Sequence, residues 1–266
     1  MLANCARLQP GFSESNMFNS KPPAHPKPFV CQTATTKALH FSIAEVQSRM
    51  DLRHPNALHL EYTRSMMGFL LFDPAPEHVA MIGLGGGSLA KFCYKHLTTS
   101  NICVVEINPY VIALRDEFLV PEDDDRFNVI EADGAEYLGS SSQLFNVILV
   151  DGYDHKGLPH ALSTQGFYDD CVGTLAPHGI LVVNLHADHR HYDIHIDRIG
   201  RSFDNAVLLV EDKREGNSVV FAQKGQKPKS LAVGPLRRPP SFDEKTWNAF
   251  QGPFARILSA LKAQPP

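Results

Sequence analysis

The chain has 266 residues, with 25 Lys and Arg against 29 Asp and Glu, giving a net charge of −4. That balance argues against a general nucleic-acid binder, which needs a basic face to neutralise phosphates. No apolar run reaches the roughly 18 residues that span a bilayer, and the longest, Met66 to Leu84, is broken by Asp73, Pro74, Pro76, Glu77 and His78. The five cysteines (5, 31, 93, 103 and 171) are odd in number and form no Cys-x-x-Cys pair. A disulfide framework and a zinc ribbon are therefore not expected, and a reducing, cytoplasmic compartment is.

In chain order, residues 1–36 read as a tail. Pro10, Pro22, Pro23, Pro26 and Pro28 sit among Ser, Asn and Lys with no sustained apolar period, a composition that buries too little surface to offset chain entropy. Residues 37–65 then read as a small antiparallel β-hairpin. Leu39–Val46 and Leu58–Tyr62 alternate apolar and polar positions around the turn-rich Arg53-His-Pro-Asn56. Thr63–Phe72 predicts a short apolar helix that stops before Pro74.

Residues 66–225 alternate strand and helix signals. Strands are predicted at His78–Ile82, Ile102–Glu106, Phe127–Glu131, Phe145–Val150, Gly179–Leu185, Ala206–Val210 and Ser218–Gln223. Helices are predicted at Ser88–His96, Pro109–Glu117, Gly134–Tyr137 and Thr164–Leu175. Short Val/Ile/Leu runs separated by helices predict a doubly wound parallel sheet covered on both faces. Only Glu211–Asn217 separates the last two strands, too few residues for a crossover helix, so they should pair antiparallel. This predicted α/β topology resembles the Rossmann-like fold of class I S-adenosylmethionine-dependent methyltransferases, a seven-stranded, mostly parallel sheet with an antiparallel last strand, better than it does a classical NAD domain. Residues 226–266 read as a Pro/Lys/Arg-rich linker and an amphipathic helix capped at Ser241-Phe-Asp-Glu. That helix carries Trp247, Phe250, Phe254, Ile257 and Leu261.

Four constellations carry chemistry. Ile82-Gly-Leu-Gly-Gly-Gly-Ser88 follows the first parallel strand and opens a helix, so Gly83, Gly85, Gly86 and Gly87 allow a tight turn and close approach of a ligand to backbone. Glu106, with Ile107 beside it, ends the second parallel strand, where a carboxylate accepts from both hydroxyls of a ribose and repels a 2′-phosphate. Asp133-Gly134 follows the third strand, where Asp133 can accept from an adenine amino group, or cap the next helix, or do both. Val150-Asp-Gly-Tyr-Asp154 sets two acids, Asp151 and Asp154, with Tyr153 between them, at the carboxyl end of the fourth strand. Such a pair suits a cationic amine: one acid holds an ammonium and the other accepts its proton. A fifth stretch, His186 to Asp197, holds His191 and His195 four residues apart, but its spacing matches no zinc pattern and no metal site is expected.

Together these residues resemble the spermidine synthase (polyamine aminopropyltransferase) family. The resemblance runs from about Leu58 to Gln223, through the Gly83–Gly87 turn, Val105-Glu-Ile-Asn-Pro109, Asp133-Gly134, Val150-Asp-x-x-Asp154, the Leu162–Tyr168 segment and Leu175-Ala-Pro-His-Gly-Ile180. It implies transfer of an aminopropyl group from decarboxylated S-adenosylmethionine, a co-substrate rather than a bound cofactor, to putrescine or a similar amine. It further implies that Glu106 holds the ribose and Asp133 the adenine, that Asp151 acts as or orients the base, and that Asp154 anchors the polyamine. Tyr62 echoes the family's amino-terminal substrate motif, and related enzymes are commonly homodimers or tetramers. Where the family's first loop carries an Asp for the aminopropyl amine, this chain has Gly86. That departure keeps two other readings open, a methyltransferase of the same fold using intact S-adenosylmethionine, and a non-catalytic nucleoside binder.

Overall fold

The computed structural model describes residues 25–43, 46–153, 157–187, 189–212, 216–225 and 237–263. Three short strands, β1 (Phe29–Gln32), β2 (Thr36–His40) and β3 (Val46–Asp51), pair antiparallel in that order. Two expectations for this region fail. The prolines predict a tail through residue 36, yet Phe29–Gln32 pairs with Lys37–His40. Pro26 and Pro28 precede the strand, where a missing N–H breaks no ladder. The second expected hairpin strand, Leu58–Tyr62, instead leads into helix α1 (Glu61–Met66) and a 3-10 turn at Met67–Leu71. Five alternating residues are too few to separate a period of 2 from one of 3.6. The segment that follows is buried almost throughout, at Thr63 and from Ser65 to Leu70.

Next come β4 (His78–Ile82), α2 (Ser88–His96), β5 (Asn101–Glu106), α3 (Pro109–Ile112), β6 (Phe127–Glu131), α4 (Gly134–Ser140), β7 (Phe145–Val150), α5 (Gln165–Thr174), β8 (Leu175–His186), α6 (Tyr192–Ser202), β9 (Val207–Asp212), β10 (Asn217–Gln223) and α7 (Glu244–Ala263). The seven-stranded sheet has the order β6-β5-β4-β7-β8-β10-β9. Strands β4 to β8 run parallel to one another, and β10 runs antiparallel to both β8 and β9. All seven expected strands are present, within a few residues of the expected bounds. The helix expected over Pro109–Glu117 shrinks to one turn. The chain continues in tighter turns, Leu114 N to Val111 O and Arg115 N to Ile112 O, before Leu119 takes a left-handed φ of 56°.

Alternation along β4 divides the core. Val79 and Met81 face one cluster with Phe92, Phe118, Phe221, Phe250 and Phe254, while Ala80 and Ile82 face another with Phe145, Phe167, Tyr168 and Phe203. Each fully buried Phe or Leu contributes about 2–3 kcal/mol, so both faces of the sheet carry large stabilising terms. Helix α7 returns to the first face, where Phe250 lies 5.2 Å from Phe92 between ring centroids. Its first turn is capped by Asp243 rather than Ser241, with Thr246 N donating to Asp243 Oδ1 at 2.7 Å. On the same face Lys91 is only 1% exposed. Its Nζ donates to the carbonyl of Phe118 at 2.6 Å, and burial pushes its pKa down to about 8.

Candidate active site

The parallel strands end on one side of the sheet, and their backbones meet there. Gly83 N donates to Val105 O at 2.8 Å, and Asp151 N donates to Ile82 O at 2.9 Å. Gly83 has φ +99°, and a Cβ on it would lie 2.5 Å from the carbonyl oxygen of Asp151. Only glycine fits that crossing. The turn therefore holds the ends of β4, β5 and β7 close enough for Glu106 and Asp151 to open into one cavity.

That cavity has a volume of about 1120 Å³, and Gly83, Gly85, Glu106, Ile107, Asp133, Gly134, Asp151, Tyr153 and Tyr62 line it. Gly86 and Gly87 are not among its lining residues; both serve packing. A Cβ on Gly86 would meet Ser48 Oγ at 2.6 Å and Phe118 at 3.0 Å, and one on Gly87 would meet Val120 at 2.3 Å. Asp154 lies outside the described residues.

Glu106 is buried at the end of β5. Its Oε2 accepts from Leu84 N and its Oε1 from Asn108 N, both at 2.9 Å. Burial raises its pKa, opposed by the backbone amides of Leu84, Asn108, Gly85 and Ile107. Asp133 caps α4, with Oδ1 accepting from Ala135 N at 2.8 Å and Glu136 N at 3.4 Å. It also lines the cavity, so the cap does not remove it from the cavity wall.

Asp151, like Glu106, is a carboxylate whose pKa is raised. Desolvation raises its pKa to about 6, against hydrogen bonds from Asn184 and Tyr62 that lower it. Tyr62 Oη donates to Oδ2 at 3.1 Å and Asn184 Nδ2 to Oδ1 at 2.9 Å. A carboxylate in a cleft with a pKa near neutrality has the properties of a general base. Tyr153 donates its hydroxyl to the carbonyl of Asn184 at 2.8 Å and stacks on His186 with centroids 4.4 Å apart.

Sequence reasoning missed Asn184 and Asn217. Asn217 Nδ2 donates to Asn184 Oδ1 at 3.0 Å, and both residues line the cavity. A signal was present for the first: Asn184 interrupts the apolar run Ile180–Leu185 and is 1% exposed, and a buried amide must find partners. Ser48 and Gln47 also line the cavity from β3, in a region whose strand assignment the sequence did not give correctly. Of the histidine stretch, His186, His189 and Arg190 reach the cavity. His195 is buried against the His189 ring at 5.5 Å, and desolvation pushes its pKa down to about 4. Among the described residues no group of three His, Cys, Asp or Glu is placed to hold a metal ion.

The chain is similar to known proteins of one family. The family model described as "Spermine/spermidine synthase domain" matches residues 59–199. A protein named polyamine aminopropyltransferase from Neisseria meningitidis serogroup A is 37% identical over 243 residues, 91% of each chain. One of the same name from Chromobacterium violaceum is 38% identical over 242 residues, 91% of this chain and 92% of the relative. Among solved structures, a probable spermidine synthase from Corynebacterium glutamicum superposes with a TM-score of 0.65 at 19% identity, covering 77% of this chain and 81% of its own. At that identity the structural likeness speaks to the fold alone. The family-model match over just over half of the chain, with relatives matched nearly end to end, shows that the chain belongs to the spermine/spermidine synthase family.

Proposed function

We propose that this protein is a polyamine aminopropyltransferase that moves an aminopropyl group from decarboxylated S-adenosylmethionine to putrescine or a similar small amine. The observation that carries this reading is Asp151. Its carboxylate, held on both oxygens by neutral donors, shares a cavity with a buried ribose-type acceptor, Glu106, and an adenine-type acceptor, Asp133. Methyl transfer is not favoured, since the relatives at 37–38% identity bear the aminopropyltransferase name.

In the reaction, the Asp151 carboxylate accepts one proton from the acceptor's ammonium. The neutral amine then attacks the carbon bonded to the sulfonium; the new C–N bond forms as the C–S bond breaks, and its electron pair stays on sulfur as a neutral thioether. Charge moves from sulfur to the new secondary ammonium, so no oxyanion hole is required. Positioning and deprotonation carry the rate. Glu106 accepts from the ribose hydroxyls, Asp133 from the adenine amino group, and Asp154 anchors the far ammonium of the acceptor. Tyr153, Ile107, Gly83 and Gly85 shape the walls. A cytoplasmic location and a homodimeric assembly belong to the same reading.

Two variants separate the roles. Asp151→Asn should abolish turnover while methylthioadenosine affinity, measured by calorimetry, stays within about threefold of wild type. Glu106→Gln should weaken that affinity by about tenfold or more, because its amide N–H₂ would face a backbone N–H where a carboxylate oxygen now accepts. An active Asp151→Asn enzyme would overturn the assignment of the base.

A further inference from the structure

Asp151 is not positioned by its contacts alone. An ionised carboxylate only accepts hydrogen bonds, so Asn184 must present its Nδ2 to Oδ1 of Asp151. Its Oδ1 must then point the other way, where it meets Nδ2 of Asn217 at 3.0 Å. The chain Asn217 to Asn184 to Asp151 has one donor direction, set at its far end by a residue on the antiparallel strand β10. Asn184 cannot turn over without placing two amino groups, or two oxygens, face to face.

We infer that Asn217 is a positioning residue for the reaction: it fixes the amide orientation of Asn184 and thereby keeps a hydrogen-bond donor on the Asp151 carboxylate. The inference rests on the reading of Asp151 as the base, which it extends. It assigns a role in catalysis to the returning β10, in addition to closing the sheet. Asn217 is half-buried and its backbone pairs with His186 and Asp212, so a change of side chain leaves the ladder in place.

The titratable groups sharing the cavity come from several elements. His25 precedes β1, Tyr62 stands on α1, Glu106 ends β5, Asp133 precedes α4 and Tyr153 follows Asp151. His186 ends β8, and His189 and Arg190 follow it. None of them lies between Asn217 and Asn184 in the hydrogen-bond chain, so a change confined to Asn217 reads through Asn184.

The test is the pH dependence of kcat/KM for putrescine in the full-length enzyme. In Asn217→Ala the Asn184 amide loses its orienting donor. In Asn217→Asp the partner only accepts and competes with Asp151 for the Nδ2 of Asn184. Loss of one donor to a charged group shifts the acidic limb upward by about one pH unit. Activity should therefore fall about fivefold at pH 6 and recover to within about threefold above pH 8, with methylthioadenosine affinity changed by no more than about twofold. A loss of equal size at every pH, or an unmoved limb with full activity, would overturn the inference. Asp151→Asn run alongside distinguishes the two failures. If that variant is inactive while the Asn217 limb stays put, only the positioning role falls; if it is active, the base assignment itself falls.

Discussion

Tyr62, on the helix that follows the amino-terminal sheet, donates its hydroxyl to Oδ2 of Asp151 at 3.1 Å across 89 positions of sequence. This bond ties the first part of the chain to the end of the fourth parallel strand at the point where the chemistry is assigned. It also sets the acidity of the site, because desolvation alone drives the carboxylate's pKa upward and the two donors restrain it near 6.

Tyr62→Phe removes one of those donors. The charged form of Asp151 loses stabilisation, its pKa rises, and the fraction of base at a given pH falls. The acidic limb of kcat/KM should move up by about one unit, with about a threefold loss near pH 6.5 and little change at pH 9. A pH–rate series checks this; a limb left at about 6 would remove Tyr62 from the site.

Gly86 bears on the donor. A side chain there would collide with Ser48 Oγ at 2.6 Å and Phe118 at 3.0 Å, so restoring the loop acid of the wider family should destabilise the fold by about 1–3 kcal/mol in thermal unfolding. Gly86→Asp combined with Ser48→Gly should regain much of that stability, because the nearest obstruction is gone. If the single variant unfolds at the wild-type temperature, the packing account of this turn is incorrect.

Lys91 offers a test of the interior. Its pKa is lowered from 10.5 to about 8 by burial, so between those values the unfolded chain carries a proton that the folded chain has lost. Stability of the wild type should therefore rise with pH across this window, by on the order of 2–3 kcal/mol relative to Lys91→Met, whose core carries no titrating group at this position. Urea unfolding at pH 7.5 and pH 10.5 measures the difference; a gap that does not change with pH would contradict it.

Much of this was legible in the residues because the parallel strands are buried on both faces, and runs such as His78–Ile82 and Phe145–Val150 have few other uses. The acids at Glu106, Asp133 and Asp151 were legible for a related reason: strand ends in an open sheet converge, so position in sequence fixes position at the cavity. The amino-terminal sheet was not. Phe29–Gln32 is held mainly by backbone pairing and carries little apolar period, while Leu58–Tyr62 alternates for five residues before turning into a helix. Asn184 and Asn217 were missed because each acts through a pairing between β8 and β10, and a single amide carries no spacing that points to its partner. The packing role of Gly86 depends on Ser48, which a wrongly assigned strand could not place.

The most direct test of the central claim is product analysis of the purified protein with putrescine and either decarboxylated or intact S-adenosylmethionine. The account predicts that the decarboxylated donor yields methylthioadenosine and an acceptor heavier by one aminopropyl group in equal amounts, and that the intact donor yields neither. Methylation of the amine by the intact donor, with no methylthioadenosine from the decarboxylated one, would contradict it.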